Sequence, residues 1–132
     1  MYLVDTNVWL ERLLDQTKSE EVEQFLDRTP SEHLFITDFT LHSIAIVLSK
    51  LNRIEALLKF VRDTFTEGAV SLIHLEPEDM HRITSVMEKF NLDFDDAYQY
   101  VAADRYGLML VSFDSNFDRT ERGRKTPKGV LG

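Results

Sequence analysis

Short uninterrupted apolar runs alternate along this chain with apolar stripes at helical spacing. Tyr2-Leu3-Val4 is the first run. Val8, Trp9, Leu10, Leu13 and Leu14 then recur at the intervals of a helix with one buried face, and Val22, Phe25 and Leu26 do so again. Thr29-Pro30-Ser31 ends that second helix, because proline lacks the backbone N–H needed to continue it. Leu34-Phe35-Ile36 reads as a second strand, with Thr37 or Asp38 placed to cap a helix running through Leu41, Ile44, Ala45, Val47, Leu48 and Leu51. A further helix carries Ile54, Leu57, Leu58, Val61 and Phe65 on one face. Gly68 breaks it, and Ala69 to Ile73 form a third strand. Pro77 suits the first turn of a helix reaching about Phe90. Asp95 or Asp96 is placed to cap the next helix, which turns Ala97, Tyr98, Val101 and Ala102 inward and stops at Gly107. Leu108 to Val111 make a fourth strand, and Gly129 to Leu131 are a candidate fifth.

Strands alternating with helices predict an α/β fold of three layers, with a short central parallel sheet of four to five strands covered by helices on both faces. Residues 1–132 read as a single domain, without a linker, an internal repeat or a low-complexity segment. Right-handed crossovers bring the C-terminal ends of parallel strands to a common rim.

Three aspartate motifs fall where apolar strands give way to turns or helices. They are Leu3-Val4-Asp5-Thr6-Asn7, Asp93-Phe94-Asp95-Asp96-Ala97 and Leu110-Val111-Ser112-Phe113-Asp114. Asp5 and Asp96 lie roughly 90 positions apart, so local pairing does not account for both. Acids that follow different parallel strands can still meet in one crevice. Each also has a plain structural reading as a helix cap, since an aspartate carboxylate accepts the free N–H groups of a first turn. Ser or Thr would cap nearly as well without mutual repulsion. The doubled charge at Asp95-Asp96 and the shared rim therefore point to a bound divalent cation. Asn7 and Ser112, each two positions from an aspartate, could orient those carboxylates or serve as turn residues.

Composition narrows the chemistry. With no cysteine in 132 residues, thiolate zinc sites, disulfides and cysteine nucleophiles are excluded, and metal ligands must be oxygen or imidazole. The N-terminus carries no signal-like segment and no stretch approaches a membrane span of ~20 apolar residues, so a soluble, cytoplasmic protein is expected. A net charge of −8 opposes binding to a phosphate backbone. Arg119, Arg122, Arg124, Lys125 and Lys128 nonetheless cluster directly after the third aspartate motif. Such a run is either a solvated tail or a basic flank able to hold RNA beside an acidic pocket.

The three motifs, taken in order, resemble the PIN domain, the nuclease fold of VapC-type toxins of toxin–antitoxin modules. Asp5-Thr6-Asn7 matches the family's opening Asp-Thr-Asn, Asp96-Ala97 its helix-opening Asp-Ala pair, and Ser112-Phe113-Asp114 its Thr-x-Asp, with Phe117 as the aromatic of the Asp-x-x-Phe extension. The resemblance implies a Mg²⁺- or Mn²⁺-dependent endoribonuclease, with Asp5, Asp96 and Asp114 as catalytic metal-holding residues and Asp95 beside them. It also implies an antitoxin partner and a homodimer. The family usually carries a glutamate in the helix after the second strand, and here Ser43 stands at that position with His42 next to it. Asp95 or His42 could complete the ligand set.

Two other classes share parts of this pattern. A degenerate PIN domain would bind RNA or a protein partner without cutting, as the loss of the glutamate at Ser43 suggests. A response-regulator-like phosphoryl-transfer domain also gathers aspartates at a sheet edge. It would call for a nucleophilic Asp with a nearby Lys after a later strand, or for a second Asp two positions on, and Asp5-Thr6-Asn7 lacks the latter.

Overall fold

The computed structural model describes residues 1–132. Four parallel strands, β1 (Tyr2–Val4), β2 (Leu34–Thr37), β3 (Ser71–Ile73) and β4 (Met109–Val111), form one sheet in the order β3-β2-β1-β4. Leu3 pairs in register with Phe35 on one side and Leu110 on the other. Seven helices surround the sheet: α1 (Thr6–Leu13), α2 (Ser19–Arg28), α3 (Asp38–Lys50), α4 (Ile54–Val61), α5 (Met80–Phe90), α6 (Phe94–Tyr106) and α7 (Pro127–Leu131).

The sheet is buried on both faces because successive strand residues point to opposite sides. Leu3 and Leu110 pack with Ile83, Val101 and Phe117 under α5 and α6. Val4, Ile36 and Val111 pack with Val8, Phe25, Ile44 and Leu48 under α1 to α3. This alternation explains why the strands read as continuous apolar runs, and it gives the three expected layers.

Three local features depart from the expectations. Gly129 to Leu131 lie in α7 instead of a fifth strand. Pro127 occupies the first helical turn, and Thr126 accepts a hydrogen bond from Gly129 N at 2.9 Å as the cap. Asp93 takes the cap position of α6, ahead of Asp95 and Asp96. The third strand begins at Ser71, after a close passage at Gly68 where a Cβ would lie 2.6 Å from the Asp63 carbonyl oxygen.

The strand order fixes where a site can form. From β1 the chain proceeds outward to β2 and β3, then crosses back to place β4 on the other side of β1. Successive connections leave β1 in opposite directions, and a crevice opens at the C-terminal ends of β1 and β4. Asp5 follows the first of these strands, and Ser112 and Asp114 follow the second.

Candidate functional site

Asp5 is the anchor of the crevice. Its backbone N–H donates to the Val111 carbonyl at 2.9 Å, extending the β1–β4 ladder by one step and holding the residue against the end of β4. The residue is 6% exposed. One carboxylate oxygen accepts from Thr6 N (2.8 Å) and Gln99 Nε2 (2.9 Å), the other from Ser112 Oγ (2.7 Å) and Asn7 Nδ2 (3.4 Å). Burial pushes its pKa above the ordinary 3.8 against the pull of the donors Gln99, Ser112 and Thr6, and the charge of Asp114 adds to the rise.

Asn7 and Ser112 tie the ends of β1 and β4 together. Asn7 Oδ1 accepts from Phe113 N at 3.1 Å, and Asn7 Nδ2 donates to Ser112 Oγ at 3.2 Å. Ser112 Oγ also accepts from Asp114 N at 3.0 Å. Asp114 accepts from Asn116 N at 2.8 Å as the cap of a short 3₁₀ turn, Ser115–Arg119. Asp5 and Asp114 are thus both caps and members of the crevice.

Asp95 and Asp96 sit in the first turn of α6, where the helix dipole favours anions. Even so, the Asp96 carboxyl is pushed up to about 7, chiefly by burial and then by the charges of Asp114, Asp95 and Asp5, with Asp114 also within hydrogen-bonding reach. A carboxyl near neutrality with acids as its neighbours marks a concentration of uncompensated negative charge.

These groups line one cavity of about 220 Å³ whose walls include Asp5, Asn7, Ser43, Asp95, Asp96 and Asp114, and no basic side chain. The donor set is all oxygen, which matches a hard divalent cation. No three acids, as the side chains stand, gather tightly enough to enclose an ion by themselves. Asp5 is turned instead onto Ser112 and Gln99.

The model of the PIN domain family matches residues 2–123 of this sequence. The chain belongs to the PIN domain family. Solved structures with the same fold include a toxin–antitoxin complex from Klebsiella pneumoniae, with a TM-score of 0.77 and 18% identity over 96% of this chain and 98% of that one. FitAcB from Neisseria gonorrhoeae aligns with a TM-score of 0.75 and 21% identity over 97% of this chain and 99% of its own. VapC20 of Mycobacterium tuberculosis, a sarcin-ricin loop cleaving toxin, aligns with a TM-score of 0.75 and 14% identity over 89% of this chain and 93% of its own. No curated protein matches the sequence at significance.

Within this PIN domain, Asp5, Asp95, Asp96, Asp114, Asn7 and Ser43 are brought together, with Ser112 bonded directly behind Asp5. His42 is exposed and does not line the cavity. The C-terminal cations do not line the cavity, and the three arginines among them are engaged within the chain. Arg119 donates to the carbonyls of Phe90 and Asn91, Arg122 to Asp104 and the Leu108 carbonyl, and Arg124 to Asp118 and the Ser112 carbonyl. Lys125 bridges to β4 through its backbone. Arg122 and Arg124 are thus ion-paired, whereas Arg119 meets only carbonyls and the side-chain ammonium groups of Lys125 and Lys128 have no acid partner.

Gln99 was not among the expected site residues. It is 1% exposed, accepts from Thr37 Oγ1 at 2.8 Å, and donates to Asp5 and to Thr40 Oγ1, each at 2.9 Å. Its signal in the sequence is a lone amide three positions after Asp96, hence on the same helix face, within an otherwise apolar inner surface. Thr6 joins the network through a 2.8 Å hydroxyl contact with Thr40.

Proposed function

We propose that this PIN domain is a Mg²⁺- or Mn²⁺-dependent endoribonuclease of toxin type, working in the cytoplasm with an antitoxin protein as partner and as a homodimer. The observation that carries the reading is the meeting of Asp5, Asp95, Asp96 and Asp114 in one cavity without a basic residue, where Asp96 is driven to about 7. Asp5, Asp96 and Asp114 would hold the cation, with Asp95 adding charge at the rim. When bound, the cation supplies charge neutralisation at the phosphate and activation of the attacking water. Gln99, Ser112 and Asn7 keep Asp5 fixed at the rim by hydrogen bonds to its carboxylate. Asp96, whose carboxyl is pushed up to about 7 by burial and by its acidic neighbours, would gain most from the positive charge of a bound cation.

The choice of RNA and of a protein antitoxin is supported by family membership and by the neighbours of the same fold, one a complex with its antitoxin and one an RNA-cleaving toxin. No helix is long and apolar enough to cross a membrane. The decisive experiment incubates structured RNA with the protein in Mg²⁺ or Mn²⁺, in chelator, and as Asp96→Asn and Asp114→Asn. Metal-dependent cutting lost in both variants supports the assignment. Cutting that persists in chelator or in the variants refutes it.

A second reading is favoured by Ser43, which lines the cavity at the position where the resemblance leads one to expect a glutamate. With one acid fewer, the domain would bind RNA without cutting it. Tight binding of RNA with no turnover in either metal would establish that reading.

A further inference from the structure

Beside the acidic cavity lies an aromatic group that the chemistry described so far does not use. Phe39, in the first turn of α3, lines the cavity together with the aspartates. Its ring stands 6.5 Å from Phe94 and 5.7 Å from Tyr98, and Phe94 stands 6.1 Å from Tyr98, all in tilted arrangements. Tyr98 is buried and fixed, since its hydroxyl donates to Asp38 at 2.7 Å and accepts from Leu75 N at 2.9 Å. Phe94 is the first residue of α6, immediately before Asp95 and Asp96, and it remains 38% exposed. One side of the ring packs on a rigid aromatic base. The remainder of Phe94 is open to solvent, next in sequence to Asp95 of the cavity wall.

Charge makes this surface significant for a polyanion. The chain carries a net charge of −8, no cation lines the cavity, and Arg119, Arg122 and Arg124 are engaged with internal carbonyls and carboxylates. Phosphate contacts, the usual source of affinity for RNA, are thus not supplied by the cavity lining itself. Stacking of a base on an aromatic ring is independent of the sign of the protein's charge and tolerant of sequence, and it is the common way to hold splayed single-stranded bases.

Resting on the nuclease reading, we propose that Phe94, backed by Phe39 and Tyr98, is a platform for an unpaired RNA base adjoining the phosphate held over Asp5, Asp96 and Asp114. Phe94 is a positioning residue for substrate: the stacked base fixes which phosphate reaches the acids, so the domain selects unpaired segments and excludes a continuous duplex. A merely structural Phe94 would staple α6 to α3 through its buried edge, a role that leucine fills without an aromatic face.

The test measures binding separately from cutting, in an Asp96→Asn background, with an unstructured polyadenosine strand carrying one fluorescent purine analogue. Phe94→Leu keeps apolar packing and removes the π-face, while Phe94→Trp keeps both. Quenching of the analogue by the parent and by Phe94→Trp is expected, with affinity reduced about ten- to hundredfold in Phe94→Leu, the range that base–aromatic stacking covers. The difference should vanish for a strand with an abasic nucleotide at the quenched position. Equal affinities of parent and Phe94→Leu, or a loss that persists with the abasic strand, overturn the platform, and so does a failure of the strand to bind the parent at all. In the otherwise native chain, an unchanged KM and cleavage pattern in Phe94→Leu likewise refutes stacking while leaving the nuclease reading intact. Quenched binding without any turnover of native protein refutes the nuclease reading and leaves the platform standing.

Discussion

Replacing Asp96 by asparagine should make the metal-free protein more stable, and the gain should depend on pH. The carboxyl is carried from an ordinary 3.8 to about 7 by burial and by Asp114, Asp95 and Asp5. A fully buried group so displaced would destabilise its ionised fold by roughly 4 kcal/mol, at ~1.36 kcal/mol per tenfold. Asp96 is only partly buried, and solvent screening cuts this to about 1–2 kcal/mol. The sign follows from linkage. Below pH ~4 the group is protonated in both folded and unfolded chains and no penalty exists. Between pH ~4 and pH ~7 the unfolded chain ionises while the fold retains its proton, so stability declines through that window and levels off above it. The native protein in chelator should therefore melt lower at pH 8 than at pH 5, and Asp96→Asn should lack most of that difference. For a domain of this length the gain at pH 8 corresponds to roughly 3–8 °C in Tm. Thermal and urea denaturation in chelator measure it directly. A mutant that melts lower than the native protein at pH 8, or that keeps the native pH slope, would show that Asp96 is a structural group whose charge the fold accommodates. Adding Mn²⁺ should reverse the ranking, because a ligand at 100 times its Kd stabilises by about 2.7 kcal/mol and the asparagine variant binds it poorly.

Asp5→Asn should behave oppositely to Asp96→Asn, losing about 1–3 kcal/mol in urea denaturation as well as cleavage, because an amide group must face donors that now converge on a carboxylate; native stability in this variant would refute the anchoring role. Ser43→Glu should tighten Mg²⁺ or Mn²⁺ in calorimetric titration while lowering metal-free stability, and equal metal affinities would mean that this position does not address the ion. Gln99→Leu should destabilise by about 1–3 kcal/mol through the hydroxyls and carboxylate it leaves unpaired, with chemical denaturation as the check and an unchanged midpoint as the refuting result. Replacing Arg122 and Arg124 should lower stability modestly, by about 1 kcal/mol, and leave the salt dependence of RNA binding unaltered; a slope reduced by ~1 per arginine would instead place them on phosphates.

The fold was legible because its main determinant is one-dimensional. A parallel sheet covered on both faces needs uninterrupted apolar strands such as Leu34-Phe35-Ile36, and the crossovers need helices with one apolar face, such as Ile83 and Val86 on α5. What failed did so at an end where two local signals compete. Gly129-Val130-Leu131 is too short for periodicity to separate strand from helix, and Thr126-Pro127 decides it as a helix start. Asp95 and Asp96 were offered as caps on the same ambiguity. Asp93 lies three positions before Asp96 and takes that place by geometry that composition does not reveal.

The acids and the cations of the candidate site differed in legibility for a physical reason. Topology constrains an aspartate that follows a strand, because every strand of a parallel sheet delivers its next residue to the same edge. Asp5 and Asp114 inherit their positions from β1 and β4. Nothing comparable constrains an arginine in a C-terminal segment, whose long side chain reaches whichever acid or carbonyl is nearest in space. Asp104, on the last turns of α6, takes both Arg82 and Arg122, a pairing invisible along the chain. Gln99 falls between these cases. Its helix face was predictable from Asp96, yet its role depends on Thr37 and Thr40 arriving from the end of β2. A buried amide surrounded by hydroxyls is satisfied only when three segments meet, and that meeting is also what holds Asp5 in place. Sequence reasoning thus finds the groups that carry charge to the rim. The groups that hold them there emerge only from the packed network.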